Sequence, residues 1–260
     1  MPDVSAARLA FPRGLEQPER GYRFSLDSLL LAAFARPPAR GHGLDLGTGC
    51  GVVGLGMLLR HAGADLRVAG VDVDPAMVDA ANRNAALLGL ECRFEARILD
   101  AARLPGHEDF PPESLDFALC NPPYRRPGTG RRPPDKGRDV ARFEASGRLE
   151  HFLNAAGRVL KKRKPLWLVF LPERLEELLA ALGGAGLAAK RLRFVHPRDG
   201  EPSRILLAEA VAHGKPGMTV EPPLILHEGE GRDTRLTVRA LDFCPWLACN
   251  SGQEKRNRSG

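Results

Sequence analysis

The sequence predicts an α/β chain: a doubly wound sheet of about seven mainly parallel strands with helices on both faces. Three observations carry that expectation. Short apolar runs alternate with helix-like stretches from residue 43 to about residue 210, the order in which strand, helix and strand repeat in a parallel sheet. A glycine-rich turn, Gly47-Thr48-Gly49-Cys50-Gly51, stands between the first apolar run and a long apolar stretch. With 260 residues and 43% hydrophobic content, the chain can build a sizeable core in one domain.

In chain order, helices are expected near 26–35, 52–62, 75–88, 146–161 and 173–183. Strands are expected near 43–46, 67–73, 92–98, 115–120, 166–171, 189–196 and 203–210. Val52, Val53, Leu55 and Met57 to Leu59 continue the glycine turn as a helix. The strand over Arg67 to Val73 is followed by Asp74-Pro75, a helix cap with proline at the first helical position. Pro172 with Glu173 starts a helix and Gly183-Gly184 stops it. No repeat of 20 to 50 residues is evident. The longest apolar run near the N-terminus, Leu29 to Ala35, is too short for a membrane span, and Met1 to Gly14 has no apolar signal core. A cytoplasmic protein without a membrane partner is expected. The five cysteines, Cys50, Cys92, Cys120, Cys244 and Cys249, are odd in number and form no C-x-x-C pair. Reduced thiols are therefore expected rather than disulfides or a metal site, with the first three buried in or beside strands.

Two segments carry chemistry. Asn121-Pro122-Pro123-Tyr124 follows the apolar run Leu115 to Cys120. An exocyclic amine on adenine, or a glutamine amide, is a poor nucleophile because its lone pair is delocalised. The carbonyl of the Asn121 side chain and the main-chain carbonyl of Pro122 can each accept one N–H bond and hold that lone pair toward an incoming methyl group. The prolines stiffen the turn and Tyr124 offers a flat face for stacking. Taken alone, Asn-Pro and Pro-Pro are also ordinary loop punctuation. Upstream, Leu44-Asp45-Leu46 runs into the glycines, which permit close approach of a ligand to a helix N-terminus. Gly49, Gly51 and Gly54 satisfy G-x-G-x-x-G, which leaves a dehydrogenase open as a reading, because that pattern alone is weak. Asp45 ahead of the glycines, suited to an ammonium group, and the run G-x-G-x-G favour S-adenosylmethionine. Asp72 lies 21 residues beyond Gly51, the spacing at which a carboxylate reaches ribose hydroxyls. Asp100, at the end of the third strand, suits the adenine amino group of the same ligand, with a loop or cap role nearly as good an account.

Charge points to the partner. The chain carries +6, and residues 125–142 hold seven basic side chains against Asp135 and Asp139, a surplus of five. Arg125, Arg126, Arg131 and Arg132 stand directly after Tyr124, where an anionic polymer would pass, so RNA contact is expected of them. A solvated loop is the plain alternative. For Lys161-Lys162-Arg163-Lys164 a structural role at the end of a helix is preferred.

Residues 11 to about 230 resemble the bacterial S-adenosylmethionine-dependent methyltransferases that modify the N6 of an anticodon-loop adenosine in valine tRNA. The resemblance rests on Gln17-Pro18, Gly21-Tyr22-Arg23-Phe24-Ser25 with Asp27, the Asp45-to-Gly51 turn, Asn121 to Tyr124, Ala141-Arg142 with Glu144, and Arg193-Phe194-Val195-His196-Pro197. It implies a Rossmann-like class I methyltransferase sheet with catalytic Asn121, Pro122, Pro123 and Tyr124. Asp45, Gly47, Thr48, Gly49, Gly51, Asp72 and Asp100 would surround the cofactor. It also implies a segment 1–40 covering the cofactor pocket, a methyltransferase domain over 41–230 and a divergent tail over 231–260. Ser25 reads otherwise as an N-cap and Asp27 as a first-turn acid. His196 suits a phosphate contact or a structural strand end equally. Asp233-Thr234 lacks the aromatic residue that the family carries there, and Leu236 to Gly260 matches nothing in it, leaving a strand, a partner contact or disorder open. A guanine-N2 methyltransferase acting on rRNA, a glutamine methyltransferase and a catalytically silent RNA-binding module are the alternatives. The glutamine enzymes carry a helical domain before the glycine turn, for which the 42 residues ahead of residue 43 leave no room.

Overall fold

The computed structural model describes residues 3–18, 24–122 and 149–250. Helix α1 (Val4–Ala10) begins at Asp3, whose carboxylate accepts N–H bonds from Ser5 and Ala6. Helix α2 (Leu26–Phe34) follows, then β1 (Arg40–Leu46), α3 (Val52–Arg60), β2 (Asp65–Asp72), α4 (Pro75–Leu87) and β3 (Phe94–Ile98). The chain returns through β4 (Phe117–Cys120), α5 (Leu149–Val159), β5 (Pro165–Phe170), α6 (Leu175–Gly184) and the long hairpin β6 (Leu187–Arg198) and β7 (Ile205–Ala212). The Asp74 carboxylate accepts the Ala76 N–H and Pro75 opens α4, as the Asp-Pro pair requires.

After β7 come β8 (Thr219–Val220), β9 (Leu224–Glu228) and β10 (Arg235–Leu236). Among the described residues one sheet holds all the strands, in the order β10-β9-β6-β7-β5-β4-β1-β2-β3, with β8 also paired to β6. β1 lies parallel to both β2 and β4, β4 is parallel to β5, and β7 runs antiparallel to its neighbours β5 and β6. The chain winds outward from β1 to β3 and then re-enters beside β1 as β4, which makes the β1/β4 crevice the topological switch point. Leu46 pairs with Cys120 there, so Gly47 and Asn121 leave the sheet side by side.

Strand side chains alternate between two cores. Leu44, Leu46, Ala118, Cys120, Leu166 and Leu168 face α5 and α6, whereas Phe117, Leu119, Trp167 and Val169 face α2, α3 and α4. Both faces of the central strands are buried, and each strand therefore reads as a continuous apolar run rather than an alternating one.

Three findings depart from the sequence reading. Among the described residues the sheet has ten strands rather than about seven, because 219–236 adds β8, β9 and β10 beyond β6. Two of these span two residues each, too short to show a period. Cys92 is exposed, in the turn before β3, because that strand starts at Phe94. Residues 238–250 fold as α7 (Val238–Phe243) and α8 (Leu247–Asn250), with Cys244 and Leu247 buried in the face that holds α2. Trp246 meets the Phe11 ring edge-on at 5.0 Å, and Arg13 donates to the Cys249 carbonyl, so the first and last described segments close on each other. All five cysteines are unbridged. Lys161 and Lys164 both reach Asp116, the structural role preferred for that basic run.

Candidate active site at the switch point

The glycine turn is built around two carboxylates. Asp45, 1% exposed, points from β1 into the turn, where its Oδ2 accepts the Thr48 hydroxyl at 2.8 Å and the Gly54 N–H at 3.0 Å. Gly54 has no alternative residue: an added Cβ would stand 2.8 Å from the Phe94 ring and 3.1 Å from Asp45 Oδ2. Thr48 is 3% exposed and its N–H donates to the Val71 carbonyl, so both its polar groups serve the turn. Gly49 differs. It has φ +55, a conformation that disfavours other residues, yet nothing lies within 4 Å of where its Cβ would be. Its backbone is open on the side where a ligand would approach.

Asp72 closes β2 and grips the turn from the neighbouring strand. Its Oδ2 accepts the Gly49 N–H at 2.8 Å and its Oδ1 accepts the Asp74 N–H at 3.0 Å. A carboxylate has about four lone-pair sites, so each oxygen can accept one further hydroxyl. Burial raises the Asp45 carboxyl to about 6 against the pull of Thr48 and Gly54, and the Asp72 charge adds to the rise. Burial likewise raises Asp72, opposed by the N–H groups of Asp74 and Gly49. Neither acid forms an ion pair among the described residues. Asp100 follows Leu99, whose N–H bonds the Asp72 carbonyl; it is exposed and its Oδ1 accepts the Ala102 N–H, capping a short 3-10 turn at Ala101–Arg103.

Asn121 leaves β4 beside Gly47. Its Nδ2 donates to the Ser28 hydroxyl of α2 at 2.9 Å, and Pro122 behind it is buried. Helix α2 thus reaches the site from the side of the sheet that also carries α3. Ser25 holds the N-cap position of α2, but its hydroxyl makes no capping bond and instead serves Asp27, whose carboxyl burial raises. Pro123, Tyr124, Arg125, Arg126, Arg131 and Arg132 lie outside the described residues, as do Gly21 to Arg23 and Ala141 to Glu144. His196, near the end of β6, bonds through Nδ1 with the Glu201 carbonyl. Ser28 is the site residue that sequence reasoning missed. Its signal was a lone hydroxyl inside the otherwise apolar run from Leu26 to Phe34 after Asp27.

Residues 26–180 match the family described as the methyltransferase small domain. The chain belongs to that family. It is 29% identical over 218 residues to the tRNA1(Val) (adenine(37)-N6)-methyltransferase of Vibrio parahaemolyticus, covering 84% of this chain and 86% of that protein. It is 31% identical over 203 residues to the protein of the same name in Porphyromonas gingivalis, covering 74% and 76%. Among solved structures, a predicted O-methyltransferase from Agrobacterium tumefaciens superposes with a TM-score of 0.67 at 23% identity, over 85% of this chain and 96% of that one. That likeness speaks for the fold.

A methyltransferase needs a methyl donor, and the geometry of this turn suits S-adenosylmethionine. The left-handed Gly49 leaves backbone open to a ligand, the spare lone pairs of Asp72 match a ribose diol, and two acids without counter-cations suit a ligand bearing ammonium and sulfonium charges. Cys50 and Cys120 flank the site but take no part as nucleophiles. Burial raises the Cys50 thiol to about 11 and Cys120 well above its ordinary value, so both stay protonated.

Proposed function

We propose that this enzyme methylates the exocyclic N6 amine of adenine in tRNA, with an anticodon-loop adenosine as the target. The observation that carries the reading is the pairing of Leu46 with Cys120, which brings the glycine turn and Asn121 together at the switch point. The names of the relatives, matched over three-quarters or more of both chains, support adenine and tRNA as the target.

S-adenosylmethionine supplies an electrophilic methyl carbon. The chain's own residues then position and polarise the acceptor. Asn121 Oδ1 and the Pro122 carbonyl each accept one N–H of the target amine, which turns the nitrogen lone pair toward the methyl group. Asp72 holds the ribose hydroxyls of the cofactor, and Asp45 keeps the glycine turn in shape through Thr48 and Gly54. Pro123 stiffens the acceptor turn, Tyr124 stacks on the adenine, Asp100 meets the cofactor's adenine, and Arg125, Arg126, Arg131 and Arg132 hold the RNA backbone. Alignment of the neutral amine is what transfer needs rather than prior deprotonation; the leaving group is a neutral thioether, and the methylated nitrogen sheds its extra proton to solvent without a general base. No helix among the described residues is long and apolar enough to cross a membrane; a tRNA substrate supports a cytoplasmic location.

The test is incubation with labelled S-adenosylmethionine and bulk bacterial tRNA, followed by nucleoside mass analysis. Label in N6-methyladenosine is expected, and Asn121→Ala should lower turnover on the order of a hundredfold, as misplacement of a reacting group does. Label in N2-methylguanosine or in protein would sink the reading.

A further inference from the structure

Helix α2 is buried along nearly its whole length: every residue from Ser28 to Phe34 is shielded from solvent. In that run of leucine, alanine and phenylalanine, Ser28 is the one polar side chain, and it is 2% exposed. A hydroxyl in such a place is unfavourable without a partner, and alanine would suit the helix better on every local ground. Its partner is not local. The bond it makes is to Asn121 Nδ2, 93 residues on, at 2.9 Å. Elsewhere α2 packs on the sheet through Leu29, Leu31 and Phe34, in the same core as Phe117 and Leu119, and its Phe34 carbonyl accepts from Arg191 of β6.

We propose that Ser28 is a positioning residue for Asn121. The inference rests on the proposed role of Asn121 in holding the target amine. Rotation about the last side-chain bond of asparagine is soft, and the two ends of its amide are nearly equal in size. The wrong end would present N–H groups to an amine that must itself donate. Ser28 accepts from the Nδ2 end and keeps it against α2, which leaves Oδ1 as the end turned away from Ser28. The bond also ties the acceptor turn to a helix packed on one face of the sheet, so the position of α2 sets the aim of the carbonyl.

Three proteins separate the outcomes: wild type, Ser28→Ala and Asn121→Ala, each assayed on a tRNA1(Val) transcript and each titrated calorimetrically with S-adenosylhomocysteine. Ser28→Ala should lower kcat about tenfold while leaving the S-adenosylhomocysteine Kd within twofold, since it touches the acceptor's holder and not the cofactor. The Asn121 side-chain amide resonances, assigned by their loss in Asn121→Ala, should shift and exchange faster with solvent in Ser28→Ala. The inference is overturned if Ser28→Ala keeps kcat within twofold while Asn121→Ala is inactive, if kcat and cofactor affinity fall by the same factor, or if the amide resonances stay where they were. If wild type makes no N6-methyladenosine, or Asn121→Ala keeps its turnover, the functional reading fails instead and the role of Ser28 falls with it.

Discussion

Two polar clusters are buried in this molecule, and they are built on opposite plans. Around Asp45 and Asp72 the charges are all of one sign, and their partners are backbone N–H groups and one hydroxyl. Around Arg191, 8% exposed, charge meets charge. Its guanidinium bonds Glu209 Oε2 through Nε and Nη2 at 3.0 and 2.7 Å, reaches Glu221 Oε1 at 3.4 Å, donates to the Phe34 carbonyl and lies 3.8 Å over the Phe34 ring. Glu209 also accepts the Trp167 indole N–H, and Arg193 pairs with Glu221 while lying over Phe243. In the second cluster each charge meets an opposite one from another side chain, and the cluster ties α2 and α7 to β5, β6 and β7. The first holds no cation among the described residues, the place that the proposed cofactor would fill. A buried charge left without an opposite charge marks where a ligand belongs; one answered by side chains marks a joint.

The largest effect should come from breaking the joint. Arg191→Met leaves Glu209 without its cation, while Glu221 keeps Arg193, and losing one partner of a buried pair costs about 3–5 kcal/mol. Thermal unfolding should show the midpoint falling by roughly 10 °C. A change of a degree or two would mean the two clusters do not differ as described.

Asp72→Ala acts at the other cluster, where binding should suffer more than folding. It removes an acceptor from the Gly49 and Asp74 N–H groups and from the ribose, and S-adenosylhomocysteine should bind at least tenfold more weakly by calorimetry, about 1–3 kcal/mol. An unchanged Kd would remove Asp72 from the cofactor site.

Asp45 gives the comparison a pH dependence. Its folded value of about 6 stands above the ordinary 3.8, so the folded chain holds a proton that the unfolded chain releases. The stability this contributes is present at pH 4 and is lost as pH rises through 6. A cationic ligand favours the ionised carboxylate, so cofactor affinity should move the other way and tighten several-fold between pH 5 and 7.5. A flat affinity profile across that range would break the link between the uncompensated acids and the cofactor charge.

The smallest effect belongs to Gly49→Ala. Space is not limiting there, so only the left-handed backbone is penalised, by about 1–2 kcal/mol. The melting temperature should drop by a few degrees, with a modest loss of cofactor affinity. A gain in stability would show that the turn relaxes at no expense.

The parallel half of the fold was legible because its signals are local. Gly47 to Gly51 punctuate a strand and a helix, Asp74-Pro75 starts another helix, and the apolar runs at 115–120 and 166–171 have the length of buried strands. Asn121 could be singled out by its neighbours in sequence, since proline stiffness and amide chemistry need no tertiary context. Cys92 was misplaced because an apolar-looking residue next to a strand carries no sign of where the strand begins. β8 and β10 were missed because two residues have no period.

What sequence by itself determined was the layout: which segments are strands, where the glycine turn interrupts them, and that an asparagine with two carbonyl acceptors follows the fourth parallel strand. Those properties follow from spacing and from the intrinsic conformations of glycine and proline. Tertiary structure alone decided that Ser28 meets Asn121, that Thr48 turns inward to Asp45, that Arg191 gathers Glu209, Glu221 and Trp167, and that Trp246 closes on Phe11. Each of these is a contact between polar or aromatic groups that are distant in sequence or turned from solvent by packing. Hydrogen-bond satisfaction inside a core selects such partners only once the layers have come together.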